Sequence, residues 1–260
     1  MSFDVSISRP LNDFLVASAN DVLTTDAARI ILDGKPAGIA LKIINKTILS
    51  NLEYELKKNG RSGLLMVGYA ACIETLIAHF SHKPAYFAFR QYFAKRVDPI
   101  QNTVARESVE PHFSSQADAE ILKLIESHIL RPTESKFAGK QLSFLQAMGT
   151  GFLNQVHTQE FAVVRDENSA VNGFATIRDS EFMKTPTAFV TYYVDSGREI
   201  SERRTIHLSL MSWIKKRSEN RVIHWSTHVD NRKSIDFIEH QNGFQLLGLR
   251  VIDLESCDET

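Results

Sequence analysis

The stretch from His228 to Phe244 constrains this chain most. It reads His-Val-Asp-Asn-Arg-Lys-Ser-Ile-Asp-Phe-Ile-Glu-His-Gln-Asn-Gly-Phe. The apolar run Arg221–His228 ends in the polar Asp230-Asn231 step. A helical pattern follows at Lys233–Gln241, and Asn242-Gly243 stops it. Asn satisfies free backbone N–H groups at a helix start, and Gly accepts the left-handed conformation at a helix end. Phe244 then opens another apolar run that reaches Leu254. Strand, short helix and strand in close succession predict an α/β arrangement in which helices cover a sheet.

The residues before this block extend the pattern. Glu160–Arg165 and Val171–Arg178 flank the turn-like Asp166-Glu167-Asn168-Ser169, which predicts a hairpin. Thr187–Val194 is a third strand. Arg203–Arg217 is an amphipathic helix with Ile206, Leu210, Trp213 and Ile214 inward. Further upstream, Ser115-Gln116-Ala117-Asp118 reads as a capped helix start, with Ile121, Leu122, Leu124, Ile125 and Ile129 as its buried face and Pro132 as its end. A second helical region spans Lys140–Gln155. The second half therefore reads helix, helix, three strands, helix, strand, helix, strand.

The first half has a pattern of its own. An apolar run covers Ala28–Leu32. A helical pattern is expected over Ile39–Lys58, from Leu41, Ile44, Ile48, Leu52 and Leu56, and Asn59-Gly60 stops it. Leu64–Tyr69 is a strand, Ile73–Phe80 a short helix, and the aromatic-rich Ala85–Val97 a strand. Asp98 to Ser115 reads as a connector, with Asp98-Pro99 and Glu110-Pro111 as breakers. The expected division is a small α/β domain at 1–105 and a second domain at 114–260. No internal repeat and no low-complexity segment is expected.

Composition narrows the partners. The chain has 260 residues and a net charge of -1, which gives no electrostatic footprint for nucleic acid. Its two cysteines, Cys72 and Cys257, stand in no paired motif, so neither a disulfide scaffold nor a Cys-rich metal site is expected. The start, Met1-Ser2-Phe3-Asp4-Val5, lacks the pattern of a signal peptide, and no apolar run reaches the length of a membrane span. A cytoplasmic protein without a membrane or metal requirement is the expectation. His79-x-x-His82 has no third ligand nearby in sequence, and Asn59-Gly60-Arg61-Ser62-Gly63 lacks the Lys-Ser/Thr of a phosphate loop.

The block Asn231–Phe244 resembles the last conserved block of the GNAT acyltransferase superfamily, Asn-x-x-Ala/Ser-Ile-x-Phe-Tyr-Glu-Lys-x-Gly-Phe. The order of elements in the second half is also that of a GNAT domain. The whole-chain layout is similar to that of the dTDP-fucosamine acetyltransferases, which carry a small α/β domain ahead of the catalytic one. This resemblance implies a GNAT-like mixed central sheet flanked by helices, preceded by a smaller α/β domain. It also implies acetyl-CoA or another acyl-CoA as co-substrate and a small amine or amino sugar as acceptor.

The same resemblance places residues. The family binds the donor pyrophosphate at a helix start with the pattern Gln/Arg-x-x-Gly-x-Gly/Ala. Here the aligned stretch is Arg198-Glu199-Ile200-Ser201-Glu202-Arg203, so Ser201 and Arg203 replace the two small residues. Arg198, Arg203 and Arg204 are then the candidates for phosphate contact, because guanidinium groups pair well with phosphate oxygens. Val194 and Ser201 complete the donor candidates, together with Asn231, whose alternative role is to cap the following helix. Many family members place a Tyr before the motif Glu, as the acid for the leaving thiolate. Ile238 stands there and cannot donate a proton. His240 or Glu239 is the substitute candidate, and Tyr193, with Tyr192, Glu181 and His157, is a candidate for proton transfer on the acceptor side. Two other readings accompany an acyl-CoA-dependent transferase. One is a GNAT-like binding module without activity. The other is a transferase whose donor is an acyl-carrier protein facing Arg203, Arg204 and Lys215.

Overall fold

A computed structural model describes residues 19–24, 27–32, 35–94, 141, 143–144, 147–148, 159–166, 168, 170–182, 185–194, 197–218, 221–241 and 243–255. Its strands are β1 (Ala19–Thr24), β2 (Ala27–Leu32), β3 (Lys35–Leu41), β4 (Leu64–Gly68), β5 (Tyr86–Ala94), β6 (Glu160–Arg165), β7 (Val171–Phe182), β8 (Thr185–Val194), β9 (Val222–His228) and β10 (Gln245–Asp253). Its labelled helices are α1 (Lys46–Asn59), α2 (Ala70–Phe80), α3 (Ile200–Arg217) and α4 (Arg232–Glu239). The connector, the helix expected from Ser115, His157 and Cys257 lie outside the described residues. Within the expected Lys140–Gln155 helical region, residues 141, 143–144 and 147–148 are helical.

One sheet of ten strands runs in the order β1-β2-β3-β4-β10-β5-β9-β8-β7-β6. The element order strand, strand, strand, helix, strand, helix, strand occurs twice along the chain. In each copy the fourth strand is parallel to the third: β4 to β3, and β9 to β8. The last strand of each copy crosses over. β10 pairs with β4 of the first half, and β5 pairs with β9 of the second. β5 and β10 are antiparallel neighbours at the centre. The chain thus contains a structural repeat that residue-level reading does not reveal, and its two copies exchange their last strands.

The four labelled helices pack on one face. Ile48, Leu52 and Leu56 of α1 and Ile73, Leu76 and Ile77 of α2 join Met66, Ala88 and Leu249 in one core cluster. Ile206, Leu210, Trp213 and Ile214 of α3 and Ile238 of α4 join Tyr92, Ile223 and Trp225 in another. Ala88 and Tyr92 are an even number of residues apart on β5, so both clusters lie on the same side of the sheet. α3 packs closely because β7 has Gly173 beneath it. A Cβ there would come within 2.8 Å of Ile206 Cγ2 and 3.0 Å of the Tyr193 carbonyl oxygen. The other face carries Phe87, which packs against Phe89, Phe144, Ile252 and Leu254.

Several boundaries differ from expectation, most of all in the first half. Ile39–Leu41 ends a strand, and α1 starts only at Lys46, where the Asn45 side chain accepts from the Ile48 N–H at 2.9 Å. Ile39, Ala40 and Leu41 are fully buried beside β4, and that tertiary burial overrides the helical spacing that Leu41 shares with Ile44 and Ile48. β1 adds a strand before the Ala28–Leu32 run. Among the described residues, no helix is long and apolar enough to cross a membrane.

Candidate functional site

The parallel strands β8 and β9 pair only from Thr187–Val222 to Val190–Trp225. Beyond that point β8 stays with β7, as far as the Val194–Gly173 pair. β9 stays with β5, as far as His228–Phe89. The two strands therefore diverge and leave an opening between residues 191–194 and 226–228. The first half differs here. β3 and β4 pair to their last residues, Leu41 and Gly68. A Cβ at Gly68 would come within 2.7 Å of the Leu41 carbonyl oxygen. That seam is closed, so the two copies are not equivalent as binding sites.

On the helix side of the opening lies a cavity of about 460 Å³, lined by Ile200, Arg203, Arg204, His207, Leu208, Met211, Phe237 and Gln241. The stripe from Ile200 to Met211 repeats every three or four residues, so one side of α3 faces the cavity while its neighbouring side packs on the sheet. Arg203 Nε is buried with no hydrogen-bond partner among the described residues. A buried guanidinium nitrogen without a partner is costly and suits a site for an anion.

Aromatic rings cluster on the helix side of the opening. Tyr192 stacks on Phe237 at 5.2 Å, Phe237 on His207 at 4.5 Å, and Trp225 lies 5.2 Å from Tyr192. The Tyr192 hydroxyl is hydrogen-bonded to His207 Nδ1. Burial, aided by the Arg203 charge, pushes His207 down to about 4, and burial pushes the Tyr192 phenol well above its ordinary value. Both groups are neutral at physiological pH.

The expected site residues fall in two groups. Val194, Arg198, Ser201, Arg203 and Arg204 come together around the end of β8 and the first turns of α3. Arg198 is engaged there: its Nη2 lies 2.6 Å from Asp166 Oδ2 in the turn between β6 and β7. That guanidinium holds the Asp166 carboxyl below its ordinary value, helped by the Ala170 and Asn168 N–H groups. Asn231 caps α4, its side chain accepting from the Ser234 N–H at 3.3 Å. Tyr193 points away from the helices and lies beside Phe174 at 5.6 Å. His240 does not join it. It sits exposed at the end of α4, and its Nδ1 is bonded to the Asp236 carbonyl of its own helix.

No protein-family model and no curated protein matches this chain. Its structure is similar to that of a conserved protein of unknown function from Staphylococcus epidermidis, 12% identical, over 96% of this chain and 98% of that one, with a TM-score of 0.50. A GNAT-family acetyltransferase from Colwellia psychrerythraea is 11% identical over 86% of this chain and 83% of that one, with a TM-score of 0.42. A tandem GNAT protein from the clavulanic acid biosynthesis pathway is 10% identical over 88% and 82%, with a TM-score of 0.41. At such identities the likeness concerns the fold alone. The fold itself is a mixed central sheet flanked by helices, the architecture that the sequence implies.

Sequence reasoning missed two features of the site. The first is the Tyr192–His207 pair. The second is a network that ties α4 to the first half. Tyr92 donates to Glu239 Oε1 at 2.6 Å, and Arg90 reaches Glu74 at 2.9 Å and Glu239 at 3.4 Å. The local pattern held one signal: an Arg inside the aromatic-rich β5 run has to find acids. Among the described residues, no group of three or more His, Cys, Asp or Glu side chains is placed to hold a metal ion.

Proposed function

We propose that the second half is an N-acyltransferase that takes its acyl group from an acyl-CoA thioester. The observation that carries this reading is the divergence of β8 from β9 directly beside the arginine-lined cavity. A slender pantetheine arm fits an opening between two strands, where unpaired backbone groups supply hydrogen bonds. The phosphates belong at the start of α3, where the first-turn N–H groups of Ile200, Ser201 and Glu202 and the Arg203 and Arg204 guanidiniums favour an anion. The apolar and aromatic lining of the cavity suits the nucleoside end. Val194 borders the arm on the β8 side and Asn231 on the β9 side.

The acceptor approaches on the opposite face, past Tyr193. Its class is a small amine, with amino sugars included by the layout resemblance. Rate enhancement in such a site comes mainly from holding amine and thioester together. His240 has no part in this reading, because it lies on the helix side at an exposed helix end.

Three observations favour a second donor. α3 begins without glycine, Ile200 is 75% exposed, and Arg198 is already paired with Asp166. A carrier protein bearing phosphopantetheine needs no pyrophosphate cradle, and an exposed Ile beside Arg204 would contact it. Calorimetry with acetyl-CoA, CoA and acetyl-phosphopantetheine distinguishes the readings. The acyl-CoA reading expects CoA to bind more tightly than the phosphopantetheine thioester. The reverse order points to a carrier protein, and no binding by any of the three sinks the transferase reading.

A further inference from the structure

Three side chains on the face away from the labelled helices form a chain whose hydrogen-bond directions are all fixed. Gln91 Nε2 lies 3.2 Å from the Phe89 carbonyl oxygen, which only accepts. The nitrogen end of this amide is thereby identified. The same nitrogen donates to Ser226 Oγ at 2.9 Å. The amide oxygen lies 2.8 Å from His224 Nε2. An amide oxygen cannot donate, so His224 carries its proton on Nε2. The His224 ring stacks on Phe93 at 4.5 Å. Burial, with the Arg250 and Arg178 charges, pushes it down to about 3 and keeps it neutral. Ser226 therefore receives a hydrogen bond from Gln91, and no bond donated by its own hydrogen is present among the described residues.

Position gives that hydrogen a use. Ser226 is the first residue of β9 beyond the last β8–β9 pair, at the apex of the opening. It alternates with Trp225, which faces the helices, so its side chain is on the acceptor face. It is partly exposed. Gln91, which orients it, belongs to the exchanged strand β5, so the first half completes the site of the second.

We infer that the Ser226 hydroxyl is a catalytic hydrogen-bond donor to the thioester carbonyl oxygen, and that Gln91 and His224 are its positioning residues. This inference rests on the acyl-thioester reading. The amine lone pair forms the new C–N bond, and the C=O π pair moves onto oxygen, where Ser226 O–H receives the charge. The pair then returns, the C–S bond breaks, and the sulfur leaves as a thiolate. The nitrogen loses one proton and the thiolate gains one through solvent, so nothing is oxidised or reduced. A preorganised donor at such an oxygen is worth far more than in water, because it needs no reorientation during the reaction.

The test uses the full chain with [1-13C]acetyl-CoA and hydroxylamine as a small nucleophile. Ser226→Ala is expected to leave acetyl-CoA affinity unchanged by calorimetry. It should raise the infrared carbonyl frequency of the bound thioester and slow acetohydroxamate formation at least about tenfold. Ser226→Thr, which keeps the hydroxyl, should recover most of the frequency shift and of the rate that Ser226→Ala loses. Gln91→Leu should fall between, with kcat reduced and KM for acetyl-CoA unchanged. An unchanged carbonyl band and rate in Ser226→Ala, with acetyl-CoA still bound, overturns the inference alone. If the wild-type protein binds neither acetyl-CoA nor acetyl-phosphopantetheine, the acyl-thioester reading falls and the inference falls with it.

Discussion

Arg203 offers the sharpest perturbation of the donor site. Its Nε is buried without a partner, and it lines the cavity beside Arg204. Charge-assisted hydrogen bonds contribute about 1.5–3 kcal/mol. One decade of affinity is about 1.4 kcal/mol, so Arg203→Ala should weaken CoA roughly ten- to hundredfold. Removing an unpaired Nε strands no partner, so stability should change by less than about 1 kcal/mol. Arg198 supplies the contrast. Its guanidinium is committed to Asp166, and both side chains are partly exposed, at 30% and 18%. Such pairs are worth about 0–1 kcal/mol, so Arg198→Ala should affect CoA far less than Arg203→Ala. Titration calorimetry of both variants at one fixed ionic strength reads the difference. A third readout is His207, held at about 4 chiefly by burial and secondly by the Arg203 charge. Arg203→Ala should move it upward by NMR titration. Equal losses of CoA affinity from the two variants, or no loss from Arg203→Ala, refute the placement of the phosphates.

Three further outcomes are expected. Stability should fall as pH drops from about 6.5 toward 3, because buried His224 refuses a proton that the unfolded chain accepts at its ordinary value of 6.5. His207 and His228, both pushed down to about 4, add the same sign, and the stabilisation is complete above about 6.5. Each such proton contributes a slope of about 1.4 kcal/mol per pH unit, so denaturant unfolding of His224→Phe across this range should show a shallower decline, and parallel curves would contradict it. Asn231→Ala should cost about 0.5–2 kcal/mol through its lost cap, measured by thermal unfolding, and should also weaken CoA. A loss of stability with donor affinity intact makes Asn231 a cap only. The fragment 114–260 lacks β5, which pairs with both β9 and β10, so it should show no cooperative unfolding until mixed with 1–105. A cooperative melt of the fragment alone would contradict the strand exchange as an obligate part of the fold.

Local pattern carried much of the second half. Ile206, Leu210, Trp213 and Ile214 are all buried, because a helix that covers a sheet repeats its apolar residues at 3.6-residue spacing. The same rule misassigned Ile39–Leu41, since Leu41 stands at helical spacing from Ile44 and Ile48. The exchange of β5 and β10 leaves no local trace: an aromatic run reads as a strand whichever neighbour it finds. Partners far apart in sequence were equally invisible. Gln91 and Ser226 are 135 positions apart, and Tyr92 and Glu239 are 147 apart. At Tyr192-Tyr193 the sequence gives two aromatics but not which one faces the helices, because that depends on strand register rather than on residue type.

A crystal structure of the full chain with CoA tests the central claim most directly. The account predicts pantetheine density between β8 residues 191–194 and β9 residues 226–228, with the phosphates at Arg203 and Arg204. CoA lying against the closed β3–β4 seam of the first half, or bound outside the β8–β9 opening, would contradict it.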